Sequence, residues 1–290
     1  MSAQTELRLT TVVGARGWRE RLQKATADVD GIALDFLDVS PIHRAFAPMA
    51  REQKFDISEM AVVTALQALA YGKPILLLPV TVAARFQHRC LIAMRSNEPL
   101  RPAGLSGRRI GVRAYTQTTG VWVRGILQND YGVAAETVRW VTQEGAHVAE
   151  YRDPDWVERT DSASSLPALL RQGEIDAAIL GNDLPNDPDF VAVIENPESA
   201  AQAWFAKHGV VPLNHMLTVR KDIAAAHAPA LQALWQAIER TMPAGTPLGI
   251  DAHRKVFELL ITYCDQQKLL PRRLTIDEIF EGTRAVLGDI

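Results

Sequence analysis

Short apolar runs alternate with longer amphipathic stretches along almost the whole chain, and this alternation restricts the fold more than any other feature. Short apolar runs are typical of buried strands, whereas apolar residues at every third or fourth position are typical of helices. The alternation therefore predicts an α/β protein. The strand-like segments are residues 7–13, 33–37, 55–57, 75–79, 109–112, 138–141 and 175–180. The helix-like segments are residues 18–26, 42–51, 59–70, 118–131, 166–172, 200–208, 229–241, 253–267 and 276–287.

Composition and charge exclude several other classes of protein. The chain has 290 residues, 47% of them hydrophobic, which allows one large domain or two lobes of about 100–150 residues. Its 31 basic and 34 acidic side chains give a net charge of −3, whereas a nucleic-acid-binding surface is strongly basic. The longest apolar runs, such as residues 74–82, are shorter than the roughly 20 residues that span a bilayer. We expect a globular protein with neither nucleic acid nor membrane as partner.

The N-terminal segment and the cysteines predict a cytoplasmic protein. Glu6 and Arg8 interrupt the region where a secretory signal would carry a continuous apolar run. Cys90 and Cys264 are too few for a zinc site, and a chain of this size does not need a disulfide between them. The alternative is an exported protein whose signal has been removed.

Two pairs of segments within the chain resemble each other. Residues 51–57 and 171–177 both run from a helix end through a polar turn into an apolar-Asp-apolar strand. Residues 90–95 and 215–220 are both apolar stretches that end in arginine. Two similar α/β lobes joined by two crossing strands would explain both pairs, and chance similarity between short α/β connections is the alternative.

Eight short motifs match a known family in order along the chain. They are FDISEM at 55–60, PVTVAARFQH at 79–88, RRIGV at 108–112, VWVRGIL at 121–127, YGV at 131–133, RWV at 139–141, PLNH at 212–215 and RRLT at 272–275. In these motifs the chain resembles the 4,5-dihydroxyphthalate decarboxylase family. The resemblance implies a two-lobed type 2 periplasmic-binding-protein-like fold with two hinge strands. It implies a discontinuous lobe I of residues 1–91 and 217–290, and an inserted lobe II of residues 92–216. Ligand would bind in the cleft between the lobes, which would close about Ala93 and Thr218.

The resemblance also implies a carboxy-lyase that removes CO₂ from a hydroxylated aromatic carboxylate, 4,5-dihydroxyphthalate or a related acid. The ring carbon that loses CO₂ must be protonated, so this chemistry needs a proton donor, donors that hold carboxylates, and a dry cleft. No redox cofactor is required, although a divalent metal would help by holding neighbouring oxygens. The expected partner is a small aromatic carboxylate, and homo-oligomer formation stays open.

His88 is the first candidate for proton transfer. It follows the predicted strand 75–79, where a lobe edge should meet the cleft, and histidine exchanges protons near neutral pH. The alternative is a structural histidine bonded to a loop carbonyl. Glu59 would orient a histidine, accept a phenolic proton or bind a metal, or would only interact with the dipole of its helix. His215 begins the second crossing strand and would face His88 across the cleft.

Arg85 and Arg89 flank His88 and would hold a carboxylate through paired N–H groups, unless they belong to a solvated loop face. The chain departs from the family pattern at Ala84 and Gln87, where the family has arginine. This departure favours an aromatic acid that is related to dihydroxyphthalate but different from it.

Other candidates lie where predicted strands meet predicted helices. Ser58 would cap the helix 59–70, and Thr118 or Thr119 would cap the helix 118–131, so that free backbone N–H groups bind an anion. Tyr115 would stack on the ring or hydrogen-bond to it. Asn214 would offer a neutral donor and acceptor.

His88, His215 and Glu59 would together form a two-histidine, one-carboxylate metal set, although no short-range spacing supports it. The remaining histidines are interpreted as surface or capping residues: His43, His147, His208, His227 and His253. The charged segment 144–161 is interpreted as a solvated insertion. A small-anion solute-binding protein without catalysis is the second functional hypothesis, and another enzyme on this fold, as in menaquinone or thiamine-pyrimidine synthesis, is the third.

Overall fold

The computed structural model describes residues 6–14, 16–96, 98–181 and 184–290, and it is an α/β protein as predicted. Its strands are β1 (Leu7–Val12), β2 (Ile32–Phe36), β3 (Ile57–Ala61), β4 (Ile75–Ala84), β5 (Leu91–Met94), β6 (Arg109–Val112), β7 (Arg139–Thr142), β8 (Val157–Arg159), β9 (Ala177–Ile179), β10 (Phe190–Ala192) and β11 (Leu213–Arg220). Its α-helices are α1 (Arg16–Ala27), α2 (Phe46–Glu52), α3 (Val62–Ala70), α4 (Thr118–Tyr131), α5 (Leu166–Arg171), α6 (Pro197–His208), α7 (Lys221–Ala226), α8 (Ala228–Thr241), α9 (Ile250–Gln266) and α10 (Ile276–Leu287). Short 3₁₀ helices cover Ile42–Ala45, His88–Cys90, Pro102–Gly104 and Ala135–Thr137. No helix in these ranges has the length and apolar character that a membrane crossing needs.

The strands form two mixed sheets. The first has the order β2-β1-β3-β11-β4, in which β11 is antiparallel to both neighbours. The second has the order β10-β5-β9-β6-β7-β8, in which β9, β6, β7 and β8 are parallel. The chain therefore leaves the first sheet after β4 and returns to it with β11, as a two-lobed fold requires.

Residues 85–90 and 193–212 connect the two sheets. Ala93 lies inside the second sheet, paired with β9 and β10, and Thr218 lies inside the first, paired with β3 and β4. The two connecting segments, rather than these two residues, lie at the crossings. The lobe boundaries after residues 91 and 216 stay a prediction.

The start of α3 differs from the sequence-based expectation. Ser58 and Glu59 were expected to begin a helix, but they lie inside β3, which is hydrogen-bonded to β1 on one side and to β11 on the other. The helix begins three residues later, and no side chain caps it. Strand pairing on both sides satisfies the backbone of β3, so Ser58 has no capping role.

Two further predictions are wrong in detail. The segment 144–161 is not entirely a solvated insertion, because β8 lies within it and pairs in parallel with β7. The strand predicted over 75–79 continues to Ala84 as β4, because β11 pairs with it along this whole length.

Helix α4 from the second lobe packs closely on α9 from the C-terminal part of the chain. A Cβ atom on Gly125 would lie 1.9 Å from Cδ2 of Tyr263, so only glycine allows this approach. Trp122 on the same helix donates to the carbonyl of Leu213 over 2.7 Å. These contacts fix α4 against the beginning of β11, which carries part of the site described below.

Candidate active site

A cleft of about 670 Å³ opens between the two sheets. Its walls come from the ends of β4, β6, β7 and β9, from the starts of α3, α4 and α5, and from the first residues of β11. Ligand sites in open α/β sheets lie beyond the carboxyl ends of the strands, and this cleft has that position. The predicted interlobe cleft is therefore present.

The described residues that line the cleft are basic or neutral. Arg85, Arg113, His43, His147 and His215 supply cationic or protonatable groups, whereas no aspartate or glutamate is among these described lining residues. Such a cleft favours a small anionic ligand.

His215 and Glu59 form a hydrogen-bonded pair at the cleft wall. His215 Nδ1 lies 2.6 Å from Glu59 Oε1, and the backbone N–H of Gly14 donates to Glu59 Oε2 over 2.7 Å. Glu59 is only 3% exposed and lies behind the histidine rather than at the cleft surface. Since an ionised carboxylate only accepts hydrogen bonds, it holds the Nδ1 proton of His215 and leaves Nε2 available to a ligand.

The pairing of β3 with β11 produces this contact. Glu59 lies opposite Leu217, so His215, two residues along, is its diagonal neighbour on the same face of the sheet. The register between β11 and β4 is irregular on both sides of His215. In a regular strand, Asn214 and His215 would point to opposite faces, but here both line the cleft.

Phe46 separates two histidines of the cleft. Its ring makes edge contacts with His215 at 5.2 Å and with His147 at 5.8 Å between ring centroids. His147 Nδ1 lies 2.8 Å from Thr64 Oγ1. Burial lowers the pKa of His147 to about 4, and the nearby Arg113 guanidinium acts in the same direction. His147 is therefore uncharged at neutral pH.

This lowered pKa predicts a loss of stability in acid that depends on His147. Unfolding restores an ordinary histidine pKa, so the unfolded chain binds more protons and stability falls as the pH drops from 6.5 towards 4. Asparagine keeps a polar atom near Thr64 without titrating. We expect wild-type protein to lose about 2 to 3 kcal/mol more than His147→Asn between pH 7.5 and 4.5, measured by urea unfolding. Parallel curves for the two proteins would show that His147 does not titrate in this way.

Arg85 connects the two walls of the cleft. Its guanidinium donates to the carbonyl of Gly181 over 3.3 Å and lies 3.5 Å from the hydroxyl of Thr119. Both contacts come from the second lobe, so Arg85 is already placed beside the beginning of α4. No carboxylate pairs with it among the described residues.

Helix α4 begins at Thr118, as predicted, but its capping differs. Gln117 occupies the N-cap position without a side-chain cap, and the Thr118 hydroxyl accepts a hydrogen bond from the N–H of Val63 over 3.3 Å. The prediction that Thr118 or Thr119 caps the helix is wrong, because the Thr118 hydroxyl is used by α3 instead. The N–H groups of the first turn of α4 have no intrahelical acceptors and can hold an anion.

Five predicted site residues do not line the cleft: Glu59, which lies behind His215, and Ser58, Tyr115, His88 and Arg89. Ser58 is buried in β3 and donates to the carbonyl of Glu59. Tyr115 is buried, with its hydroxyl accepting from Trp156 over 3.0 Å. His88 and Arg89 line a separate, smaller pocket of about 280 Å³. Among the described residues that line this pocket, Arg85 alone also lines the cleft.

His88 is buried outside the cleft. It is 2% exposed, its ring lies 6.1 Å from that of Trp204, and burial lowers the pKa of its imidazole. It therefore does not face His215 across the cleft. No group of three or more His, Cys, Asp or Glu side chains in the described ranges is arranged to hold a metal ion, so the set of His88, His215 and Glu59 is not assembled.

The structure adds lining residues that sequence reasoning missed. The interpretation of His43 and His147 as surface or capping residues is wrong, because both line the cleft. Arg113 and Gln143 also line it, and each directly follows a strand of the second sheet. Arg113 and Gln143 could have been identified from the sequence by the rule that ligands bind beyond the carboxyl ends of strands.

Comparisons with known proteins confirm the predicted resemblance. No family model matches the chain. The 4,5-dihydroxyphthalate decarboxylase of Comamonas testosteroni is 28% identical over 256 residues, covering 82% of this chain and 75% of that protein. The protein of the same name from Pseudomonas putida is 27% identical over 213 residues, covering 69% of this chain and 82% of that protein. The chain is thus similar to carboxy-lyases over most of its length.

Solved structures show the same fold. The alkanesulfonate-binding protein of Xanthomonas axonopodis pv. citri, bound to MOPS, superposes with a TM-score of 0.53 at 14% identity, over 96% of this chain and 99% of that chain. A periplasmic sulfonate-binding protein of Methylobacillus flagellatus gives a TM-score of 0.55 at 10% identity, over 96% and 92%. The predicted two-lobed periplasmic-binding-protein fold is confirmed.

Proposed function

We propose that this chain catalyses the non-oxidative decarboxylation of a hydroxylated aromatic carboxylate, 4,5-dihydroxyphthalate or a related acid. The hydrogen-bonded His215–Glu59 pair, facing a basic cleft, is the observation that carries the proposal. The names of the two sequence relatives supply the substrate class.

The substrate carboxylates bind on the side of the cleft that carries Arg85 and the first turn of α4. Arg85 supplies a guanidinium with no carboxylate partner among the described residues, and the helix N-terminus supplies backbone N–H donors. Arg113 adds a second positive charge, partly offset by Glu144, whose carboxylate lies 3.5 Å from its Nε atom.

His215 delivers the proton to the ring carbon. Loss of the hydroxyl proton gives a phenolate, which raises electron density at the carbon that carries the carboxylate. That carbon takes a proton from His215 Nε2–H, the bond to the carboxylate breaks, and its electron pair returns to the ring as CO₂ leaves. The phenolate then regains the proton it lost to solvent, and one further proton from solvent recharges His215, so the net reaction consumes one proton. Glu59 holds the imidazole in position and stabilises its protonated form.

This assignment replaces His88 with His215 as the proton donor. His88 has no contact with the cleft, whereas His215 Nε2 is available to a ligand there. No step of this reaction requires a metal ion. A divalent metal that holds neighbouring ring oxygens is a separate part of the proposal, and the experiment below tests it. The cytoplasmic location stays a prediction, and homo-oligomer formation stays open.

A small-anion-binding protein without catalysis is the second candidate function. The basic cleft favours it, because Arg85, Arg113 and the start of α4 would hold an anion without any proton transfer. The His215–Glu59 pair separates the two functions, since binding alone does not need an oriented imidazole.

A substrate panel tests the proposal. Purified, chelator-treated protein is incubated with 4,5-dihydroxyphthalate, several hydroxybenzoates and unsubstituted phthalate, with and without divalent metal, while CO₂ release and thermal stabilisation are followed. We expect CO₂ release from at least one hydroxylated acid, and binding without turnover of phthalate, which has no hydroxyl to donate electrons. Stabilisation by the hydroxylated acids without CO₂ release in either condition would instead establish the binding function.

A further inference from the structure

Gln87 holds the two connections between the sheets together at the edge of the cleft. Its side chain is completely buried. Nε2 donates to the Oδ1 atom of Asn214 over 2.8 Å and to the backbone carbonyl of Arg85 over 3.0 Å. The thiol of Cys90 lies 3.5 Å from Oε1. Gln87 therefore contacts the outgoing connection at residues 85–90 and the beginning of β11, where the chain returns.

These contacts determine which way the amide of Asn214 points. A backbone carbonyl only accepts, so the atom of Gln87 beside the Arg85 carbonyl must be the donor Nε2. The same nitrogen faces Asn214, so the atom of Asn214 that meets it must be the acceptor Oδ1. Asn214 lines the cleft, and its Nδ2 has no partner among the described residues. The two N–H groups of Asn214 are therefore left for a ligand.

We propose that Gln87 is a positioning residue that fixes Asn214 as a donor, so that the cleft selects acids whose ring hydroxyl is bound as a phenolate. A neutral hydroxyl can accept from Asn214 but must also donate its own O–H to an acceptor. A phenolate oxygen only accepts and binds an N–H donor more strongly, so a fixed donor favours the phenolate. This inference rests on the proposed substrate class, and it assigns the ring oxygen to Asn214 and the carboxylate to Arg85.

The position of Asn214 fits this assignment. It is adjacent in sequence to His215, whose Nε2 serves the reacting ring, and it is a neutral donor in a cleft where arginines are present for carboxylates. The titratable or charged groups that share the cleft with it are Arg85, Arg113, His43, His147 and His215. Arg85 and Arg113 also favour an anionic ligand, whereas His147 is uncharged at neutral pH, so the contribution of Gln87 must be measured as a difference between variants.

A chromogenic ligand tests the inference by binding alone. The probe is 4-hydroxy-3-nitrobenzoate, whose phenolate form is yellow, and the matched ligand without a hydroxyl is 3-nitrobenzoate. We expect wild-type protein to lower the apparent pKa of the bound probe hydroxyl. Gln87→Met removes both donors while keeping the side-chain size, so we expect it to raise that pKa by about one unit, a tenfold change, with 3-nitrobenzoate affinity within twofold of wild type.

A double-mutant cycle separates positioning from a general structural effect. Asn214→Ala removes the donor itself, so Gln87→Met should add little to the probe pKa in that background. Cys90→Ala, which removes only the thiol contact to Gln87 Oε1, is the control and should leave the probe unchanged. An equal effect of Gln87→Met with and without Asn214, or equal losses for both ligands, would overturn the inference.

Failure of the inference is distinguishable from failure of the proposed function. If the probe binds and responds to the variants as expected but no acid is decarboxylated, the positioning role stands and the enzyme proposal fails. If neither probe nor matched ligand binds, the substrate class itself is wrong.

Discussion

His215→Asn should lower the turnover of the decarboxylated acid by about 10³-fold while leaving its affinity within about tenfold of wild type. A positioned proton donor contributes roughly 10² to 10⁴ in rate, and this variant removes Nε2 while an amide atom remains near Nδ1 for Glu59. Turnover is measured as CO₂ release at saturating substrate, and affinity is measured by calorimetry with an unreactive analogue.

Two further variants sharpen this result. Glu59→Gln keeps a hydrogen bond to His215 but no longer stabilises its protonated form, so it should lower turnover by about 10²-fold or more. His88→Asn tests the prediction, made from the sequence, that His88 is the proton donor. Near-native turnover in His215→Asn together with loss of turnover in His88→Asn would return the catalytic role to His88.

The general fold was predictable because its signals are local. Buried strands are apolar along their length, and α4 has the predicted bounds, Thr118–Tyr131, with Gly132 directly after it. Gly132 adopts a left-handed conformation with φ of 69°, which ends the helix. Propensity and a stop signal agree at this helix, so tertiary contacts were not needed to place it.

The elements that carry the site were harder to predict because tertiary contacts override local patterns there. Ser58 and Glu59 resemble a helix cap in sequence, yet β3 continues through them because β1 and β11 pair with it on both sides. Glu59 is tolerated in this buried strand because Gly14 and His215 satisfy its carboxylate. The sequence suggested that Glu59 orients a histidine but placed it on the wrong element.

The position of His88 outside the cleft has a similar cause. The predicted strand ended at Pro79, and His88 was expected between that strand and the first crossing strand, where a lobe edge should meet the cleft. Pairing with β11 extends β4 to Ala84, so Arg85 is the first residue beyond the strand and reaches the cleft. His88 lies three residues further along the connection, in the smaller pocket.

His147 also lines the cleft, but no feature of the neighbouring sequence marks it as a site residue. It lies in the charged segment 144–161, and contacts from distant parts of the chain place it in the cleft. Thr64 and Phe46 contact its ring, and Arg51 donates to its backbone carbonyl over 2.7 Å. A residue of this kind is identified by structure alone.

Arg85→Met should raise the KM for the substrate by about 30- to 100-fold and change turnover much less. Hydrogen bonds between a charged donor and a carboxylate contribute about 1.5 to 3 kcal/mol, and methionine keeps most of the apolar stem of arginine. Arg85 lies at the cleft beside Thr119 and Gly181, whereas Arg89 lies only in the smaller pocket.

Arg89→Met is therefore the matched control for the loss of one positive charge from the same segment. We expect its KM to stay within about twofold of wild type. Arg89 lies outside the cleft, and physiological salt screens its charge from the substrate. Steady-state kinetics at two ionic strengths checks both variants. Equal KM changes in the two variants would mean that the segment attracts the substrate by its overall charge. In that case Arg85 would not be a direct carboxylate contact, and the carboxylate would have to bind between Arg113 and the start of α4.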